Sequence, residues 1–213
     1  MRLLLIDHGN CDHDHTRVHR CRQALGRLGI TAAVCGPSSI PQLEAQHTGM
    51  YGIHLHAIAA ASNRFLAAVR EGTAESLLGV TPTLSPRLLG LMRETARQLI
   101  AEAVDATDPD AIFVMHAGIL TDLAVETGAP VVVHVAPTDL AAAEGKSLMR
   151  TLVGRALGSC DAVVAADNDA AAVLRAGWGE CDSETLIDVW PIGPECAQQI
   201  AAACRTALAR RRG

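Results

Sequence analysis

The sequence predicts a single doubly wound α/β domain, in which a mostly parallel sheet of about six strands carries helices on both faces. Three observations support this fold class. Short, continuous apolar runs such as Leu3–Ile6 and Val131–Val135 are typical of strands buried on both faces. Segments with apolar residues at helical spacing follow these runs. Strand and helix then alternate along the whole chain, which favours a parallel, Rossmann-like sheet.

The first half of the chain contains two predicted strands with a helix between them. Leu3–Ile6 is a continuous apolar run that ends in a polar turn, and Thr31–Cys35 is a short strand closed by a Gly-Pro pair. Between them, Thr16–Leu28 has apolar residues at helical spacing and a glycine stop signal behind it. From residue 41 to 104 the pattern is helical or irregular because glycines interrupt it, and the firmest helix there is Pro86–Val104.

The second half repeats the alternation with stronger signals. Its predicted strands are short, mainly apolar runs: Ala111–Met115, Val131–Val135, Asp161–Ala165 and Thr185–Trp190. Its predicted helices follow these strands in turn: Gly118–Thr127, Leu140–Leu157, Asp169–Ala176 and Glu195–Arg212. The last of them is amphipathic, with an apolar stripe that either docks on a partner domain or closes this fold.

Composition limits the classes of function. The chain has 213 residues, 49% of them hydrophobic, enough for one domain with a substantial core. A net charge of -5 and 2% aromatic residues argue against a nucleic-acid partner, which requires basic surface and stacking platforms. The longest apolar stretches are far shorter than the ~18 residues of a membrane-spanning helix, so no transmembrane segment is predicted. Seven scattered cysteines without a CxxC pair predict a reduced, cytoplasmic protein.

The polar residues that follow the strands predict where a ligand binds. In a doubly wound sheet the first strand is central, and the binding crevice lies at the carboxyl ends of the strands. This rule places the turn His8–Asn10, the turn His116–Gly118 and the loop Val135–Asp139 around one crevice.

Two nucleotide-binding motifs are absent. The turn after the first strand has Gly9 as its single glycine, so the G-x-G-x-x-G fingerprint of NAD and FAD proteins is missing. The segment Gly145–Ser147 imitates the end of a P-loop, but the position that requires a further glycine is Leu140. The sequence therefore predicts no cofactor.

A cluster of histidines crowds the first turn and helix. His8, His13, His15 and His19 lie there beside three aspartates. This loop is interpreted as a polar ligand-binding loop, as solvated surface, or as a transition-metal site. Because the spacing matches none of the recognised metal motifs, no metal is assigned to it.

Five segments of the chain carry a family resemblance. The opening, Arg2–Gly36, has a strand, a turn with one glycine, a helix that ends in a Leu-Gly pair, and a second strand. Four later segments end or span predicted strands: Ile112–Gly118, Pro130–His134, Cys160–Ala165 and Ile187–Pro194. Together, in this order and spacing, they resemble GT-B glycosyltransferases of the glycogen-synthase-like, family 4 type.

The resemblance implies a domain organisation and an activity. Residues 1–194 correspond to the N-terminal, acceptor-binding Rossmann-like domain, and residues 195–213 to the helix that leads into a donor-binding domain, which is expected to be absent. The chain would then transfer a sugar from a nucleotide-sugar to a saccharide or lipid-linked acceptor only with a donor-binding domain or subunit, and would be inactive alone. The apolar patches Met50–Ile53 and Leu77–Val80 either face such an acceptor or belong to the core.

The resemblance also implies site residues. In that family the active-site histidine usually follows the strand-opening proline by six residues, a position that Ala136 occupies here. His134 lies two residues earlier on the same face of the strand and is the implied catalytic residue, positioning the acceptor hydroxyl and stabilising positive charge on the sugar ring. The implied acceptor-binding residues are Gly9, Asn10, His15, His116, Gly118 and Asp139.

Two other functions stay open at this point. A non-catalytic relative would bind a saccharide or regulate a partner without its own chemistry. A metal-binding or hydrolytic α/β protein would use the histidine-rich turn, and zinc lost on changing His13 and His15 would favour it.

Overall fold

A computed structural model describes residues 1–9, 11, 16–38, 49–55, 62–144, 147–178, 181 and 184–212. The strands are β1 (Arg2–Ile6), β2 (Thr31–Ser38), β3 (Met50–His54), β4 (Ala111–Val114), β5 (Val131–Val135), β6 (Ala162–Ala165) and β7 (Leu186–Val189). The α-helices are α1 (Arg17–Arg27), α2 (Asn63–Glu71), α3 (Ala74–Val80), α4 (Pro86–Thr107), α5 (Thr121–Glu126), α6 (Pro137–Glu144), α7 (Ser147–Ser159), α8 (Asn168–Arg175) and α9 (Ala197–Arg212). Short 3₁₀ turns at Thr81–Thr83 and Pro194–Cys196 precede α4 and α9.

The strands form one parallel sheet in the order β3-β2-β1-β4-β5-β6-β7. Strand β1 is central, as predicted, with Leu4 opposite Ala33 on one side and Ile112 on the other. Within the described ranges the sheet has seven strands rather than about six. The additional strand is β3 at one edge, in the region interpreted as helical or irregular.

Alternating side chains give the sheet two hydrophobic cores. Leu4 and Ile6 of β1 pack toward the larger set of helices, α2 to α8, while Leu3 and Leu5 pack toward α1 and α9. The doubly wound α/β class is therefore confirmed.

The last helix completes the domain. Its apolar stripe is buried against β4, β5 and β6, with Ile200, Ala203, Cys204 and Ala207 in the second core. Of the two interpretations of this stripe, closing the fold is the one that the packing supports.

Some predicted boundaries differ from the structure. The helix predicted over Leu140–Leu157 is replaced by the two helices α6 and α7. Helix α5 begins at Thr121 instead of Gly118, because residues 115–120 form a buried turn whose contacts hold the site. The patches Met50–Ile53 and Leu77–Val80 contribute mainly to the core, with Ile53 and Leu77 buried in it.

Two further expectations concern the cysteines and the membrane. All seven cysteines are buried and none is in a disulfide bond. Burial raises the pKa of the Cys35 thiol to about 12, so it stays protonated at neutral pH. Across the described residues, no helix combines the length and the apolar character needed to cross a bilayer.

Candidate functional site

A cleft of about 450 Å³ opens where β1 and β4 end. Asp7, Gly9 and His116 line it from the carboxyl ends of these two strands. Helix α1 and the junction of α2 with α3 form its other walls. The cleft therefore lies at the edge of the sheet where the sequence places the ligand.

His116 and Asp139 form a buried pair beside this cleft. His116 Nδ1 lies 3.1 Å from Asp139 Oδ1, and the two side chains are 4% and 0% exposed. The other carboxylate oxygen, Oδ2, accepts the backbone N–H groups of Ala117 at 3.0 Å and Ala136 at 2.9 Å. Asp139 thus joins the turn after β4 to the first turn of α6 and fixes the imidazole between them.

The hydrogen bond selects the tautomer of His116. A carboxylate only accepts hydrogen bonds, so the neutral imidazole carries its hydrogen on Nδ1 and leaves Nε2 bare. Nε2 makes no hydrogen bond to any described residue, and the ring lines the cleft. Burial lowers the pKa of His116, but the hydrogen bond and charge of Asp139 outweigh burial and place that pKa above its ordinary value. This arrangement presents a basic nitrogen to a ligand.

His8, in contrast to His116, uses its Nε2 for a hydrogen bond within the fold. Its Nε2 accepts the backbone N–H of Leu120 at 3.1 Å, so its hydrogen lies on Nδ1, which is buried without a hydrogen-bond partner among the described residues. Burial is the main cause that lowers the pKa of His8 to about 3, with a smaller contribution from the charge of His116. His8 is therefore a neutral structural residue that fastens the turn after β4 to β1.

Gly118 is required by packing. A Cβ atom at this position would lie 2.6 Å from His8 Nε2 and closer still to Leu78 Cδ2. Its N–H donates to Thr121 Oγ1 at 2.8 Å, which starts α5. The residue predicted to bind an acceptor thus allows β1 and β4 to approach each other.

Replacing Gly118 with Ala is expected to lower the free energy of unfolding by about 2–3 kcal/mol, since the new methyl group displaces His8. Urea unfolding measures the change. Gly90→Ala is the matched control because Gly90 lies on α4 and a methyl group placed there would meet nothing within 4 Å. This control should be neutral or slightly stabilising. Equal effects of the two substitutions would contradict this explanation.

Gly9 lies in the cleft wall, and its N–H donates to Asp7 Oδ1 at 3.1 Å. A Cβ here would lie 3.2 Å from the carbonyl oxygen of Gly72, so the turn after β1 approaches the α2–α3 junction closely. Asn10 and His15 lie outside the described residues, as does His13. No group of three or more His, Cys, Asp and Glu side chains among those described is arranged to hold a metal ion.

His134 lies apart from the residues that line the cleft. It belongs to β5, is 1% exposed, and its Nε2 lies 3.1 Å from the carbonyl oxygen of Trp190. Its ring packs against the Trp190 ring at a centroid distance of 5.7 Å, on the sheet face covered by α1 and α9. Burial lowers the pKa of His134 to about 4. A catalytic role for His134 stays a prediction, and these contacts are those of a neutral core residue.

Sequence reasoning missed the arginines of the cleft. Arg17 and Arg20 of α1 and Arg70 of α2 line it together with His116. No motif connects the three residues, because the fold brings α1 and α2 together across a long separation in sequence. A helix that begins with two arginines three residues apart is the only local signal.

A second, apolar pocket adjoins His8. It is lined by His8, Ile53, Leu55, Leu77 and Leu120, and has a volume of about 20 Å³. That volume holds roughly one water molecule. It has no room for a lipid chain, so the polar cleft is the better candidate for a ligand.

Comparison with known proteins adds evidence on the fold. No protein-family model matches the sequence, and no curated protein matches it. Sucrose-phosphate synthase from Thermosynechococcus elongatus is similar in structure, with a TM-score of 0.55 and 13% identity over 96% of this chain and 98% of that chain.

Two other solved structures match with lower TM-scores. UDP-GlcNAc 2-epimerase from Neisseria meningitidis has a TM-score of 0.48 and 15% identity, over 95% of this chain and 49% of that one. The Streptomyces sp. SF2575 glycosyltransferase SsfS6 has a TM-score of 0.43 and 14% identity, over 78% and 50%. This chain spans about half the length of each. The similarity to the sucrose-phosphate synthase structure shows that the two chains share the same α/β fold.

Proposed function

We propose that this chain is the acceptor-binding, N-terminal half of a family 4-type GT-B glycosyltransferase. It works with a donor-binding domain or subunit that supplies the nucleotide-sugar. The observation that carries the proposal is the His116–Asp139 pair: His116 lines a polar cleft at the carboxyl edge of the sheet, and its Nε2 has no partner among the described residues. Residues 1–194 form the acceptor domain in this proposal, and the segment from residue 195 corresponds to the helix beside the donor domain.

The chemistry follows from the tautomer of His116. An acceptor hydroxyl in the cleft donates its hydrogen bond to Nε2. As the oxygen forms its bond to the anomeric carbon, the bond from that carbon to the nucleotide diphosphate breaks, and the hydroxyl proton passes to Nε2. Asp139 stabilises the imidazolium that results, as the carboxylate of a His–Asp pair does in general. His116, rather than His134, is then the catalytic base.

The polar lining suits a hydroxyl-rich acceptor. Asp7, Glu71 and Glu75 line the cleft and offer carboxylate oxygens that accept hydrogen bonds from hydroxyl groups. A saccharide or other polyol fits this lining better than a lipid-linked acceptor does.

The test begins with the natural protein purified from its source under native conditions. The mass of the purified chain, and of any protein bound to it, shows whether a donor-binding domain is present in the same chain or in a partner. The assembled form is then incubated with radiolabelled UDP-glucose, UDP-GlcNAc and GDP-mannose and a polar extract of the same cells. We expect label to move from one donor to a water-soluble product.

Two results would count against this function. An assembly that binds no nucleotide-sugar would favour the non-catalytic, saccharide-binding alternative. Stoichiometric zinc in the purified protein, lost on changing His13 and His15, would favour the metal-binding alternative.

A further inference from the structure

We infer that the cleft takes a phosphorylated polyol, with its phosphate on Arg17, Arg20 and Arg70 and its hydroxyls toward His116. This inference rests on the proposed function only in naming the compound an acceptor. The binding itself depends on the charges and the shape of the cleft.

Three arginines line this cleft although the chain as a whole is acidic. Arg17 and Arg20 are three residues apart on α1, so they lie on the same side of that helix. Arg70 approaches from the last turn of α2, and all three residues are exposed.

None of these arginines is paired within the described part of the chain. Some other arginines of the protein are paired: Arg93 with Asp122, Arg97 with Glu94 and Glu126, and Arg211 with Asp161. By contrast, no described carboxylate forms an ion pair with Arg17, Arg20 or Arg70, although Glu71 and Glu75 line the same cleft. Among the described residues, none occupies their hydrogen-bond donors through an ion pair.

The chemistry of guanidinium favours phosphate as that ligand. Its planar fork of N–H donors matches two phosphate oxygens, and three such groups can surround a dianion. A carboxylate offers two oxygens and one charge, so it would pair well with only one of the three guanidinium groups. Three arginines in one cleft therefore favour a phosphate over a carboxylate.

The rest of the lining shows why free phosphate alone would fill the cleft poorly. Asp7, Glu71 and Glu75 repel an anion and attract hydroxyl groups. The side chain of His116 is only 4% exposed, and its Nε2 lacks a described partner. A ligand with a phosphate at one end and hydroxyls at the other satisfies the arginines and these acceptors together.

Isothermal titration of the full chain tests the inference with six probes: glucose 6-phosphate, glycerol 3-phosphate, inorganic phosphate, glucose, gluconate and UDP. We expect a phosphorylated polyol to bind at least tenfold more tightly than glucose or inorganic phosphate. The affinity should fall as salt rises, as expected for contacts between exposed charges. The double variant Arg17→Gln/Arg20→Gln should bind the phosphorylated polyol at least tenfold more weakly than the wild type does.

The matched control is Arg27→Gln. Arg27 lies on the same helix outside the cleft, so its loss should leave the affinity unchanged. Three results would overturn the inference: no binding of either phosphorylated polyol, equal effects of the two variants, or binding of gluconate as tight as that of glucose 6-phosphate. Arginine-dependent binding of UDP with higher affinity than the sugar phosphate would assign the cleft to the donor diphosphate instead.

The inference and the proposed function fail separately. Arginine-dependent binding in a protein whose assembled form transfers no sugar upholds the site and contradicts the proposed function. Transfer to an uncharged saccharide, unaffected by the double arginine variant, supports the proposed function and contradicts the site.

Discussion

Replacing Asp139 with Asn is expected to reduce transfer by the assembled enzyme by about two to four orders of magnitude while the fold persists. Asn can still accept the N–H groups of Ala117 and Ala136 through its carbonyl oxygen. Its NH₂ group then faces His116 Nδ1 and donates to it, so the imidazole must carry its hydrogen on Nε2. Nε2 of His116 thereby changes from an acceptor of protons into a donor of hydrogen bonds.

The tautomer itself provides a readout that does not depend on activity. Long-range ¹H–¹⁵N spectra distinguish a bare from a hydrogen-bearing ring nitrogen, and they should show Nε2 of His116 change from bare to protonated in Asp139→Asn. Full activity in a variant whose tautomer has changed would contradict the role of His116 as a base. An unchanged tautomer would contradict the hydrogen-bond assignment.

Asp139→Ala separates this effect from a structural one. The alanine leaves two backbone N–H groups and His116 Nδ1 without their partner in a buried position. A buried donor without a partner costs about 1–3 kcal/mol, so the free energy of unfolding should fall by roughly 3–5 kcal/mol. The Asp139→Asn variant should lose far less of its unfolding free energy than Asp139→Ala does. Denaturant unfolding of both variants measures the difference.

The fold was predictable where the apolar pattern was continuous. Val131–Val135 and the other central strands are buried on both faces, so their sequences carry a strong signal. Strand β3 could not be predicted in this way, because Met50–His54 is short, lies at the sheet edge and contains Gly52. Its strand conformation comes from pairing with β2, which the sequence pattern does not reveal.

The sequence predicted the location of the candidate site, but only part of the contacts that its residues make. His116 and Asp139 were both expected at the carboxyl ends of strands, which is a consequence of parallel topology. Their pairing depends on the geometry of the turn after β4, which the spacing of residues does not specify. For the same reason, the sequence could not show that His134 packs against Trp190 or that Arg70 joins Arg17 across the cleft.

Acid is expected to destabilise the protein because His8 and His134 are buried as neutral rings. Their pKa values in the folded state are about 3 and about 4, against an ordinary value of 6.5. Below pH 6.5 the unfolded chain therefore binds two protons that the folded chain does not, and the free energy of unfolding falls as pH falls. Between pH 7 and pH 5 each histidine should cost roughly 2 kcal/mol, and the loss should continue until the folded-state pKa values are reached.

Urea unfolding at pH 7, 6 and 5 measures this dependence, and the double variant His8→Gln/His134→Gln should flatten it by roughly 4 kcal/mol over the range. Glutamine suits both places, because it can accept the N–H of Leu120 and donate to the carbonyl oxygen of Trp190.

His116→Gln should change the pH dependence of the unfolding free energy in the opposite direction. The pKa of His116 is raised in the folded state, so this residue adds stability that is fully present below pH 6.5 and is lost as pH rises through the folded-state pKa. Removing it should make the loss on acidification larger. The free energy of unfolding is compared against pH for the wild type, the His8→Gln/His134→Gln variant and the His116→Gln variant. Parallel profiles for these three proteins would show that none of these histidines is held in the protonation state that its contacts imply.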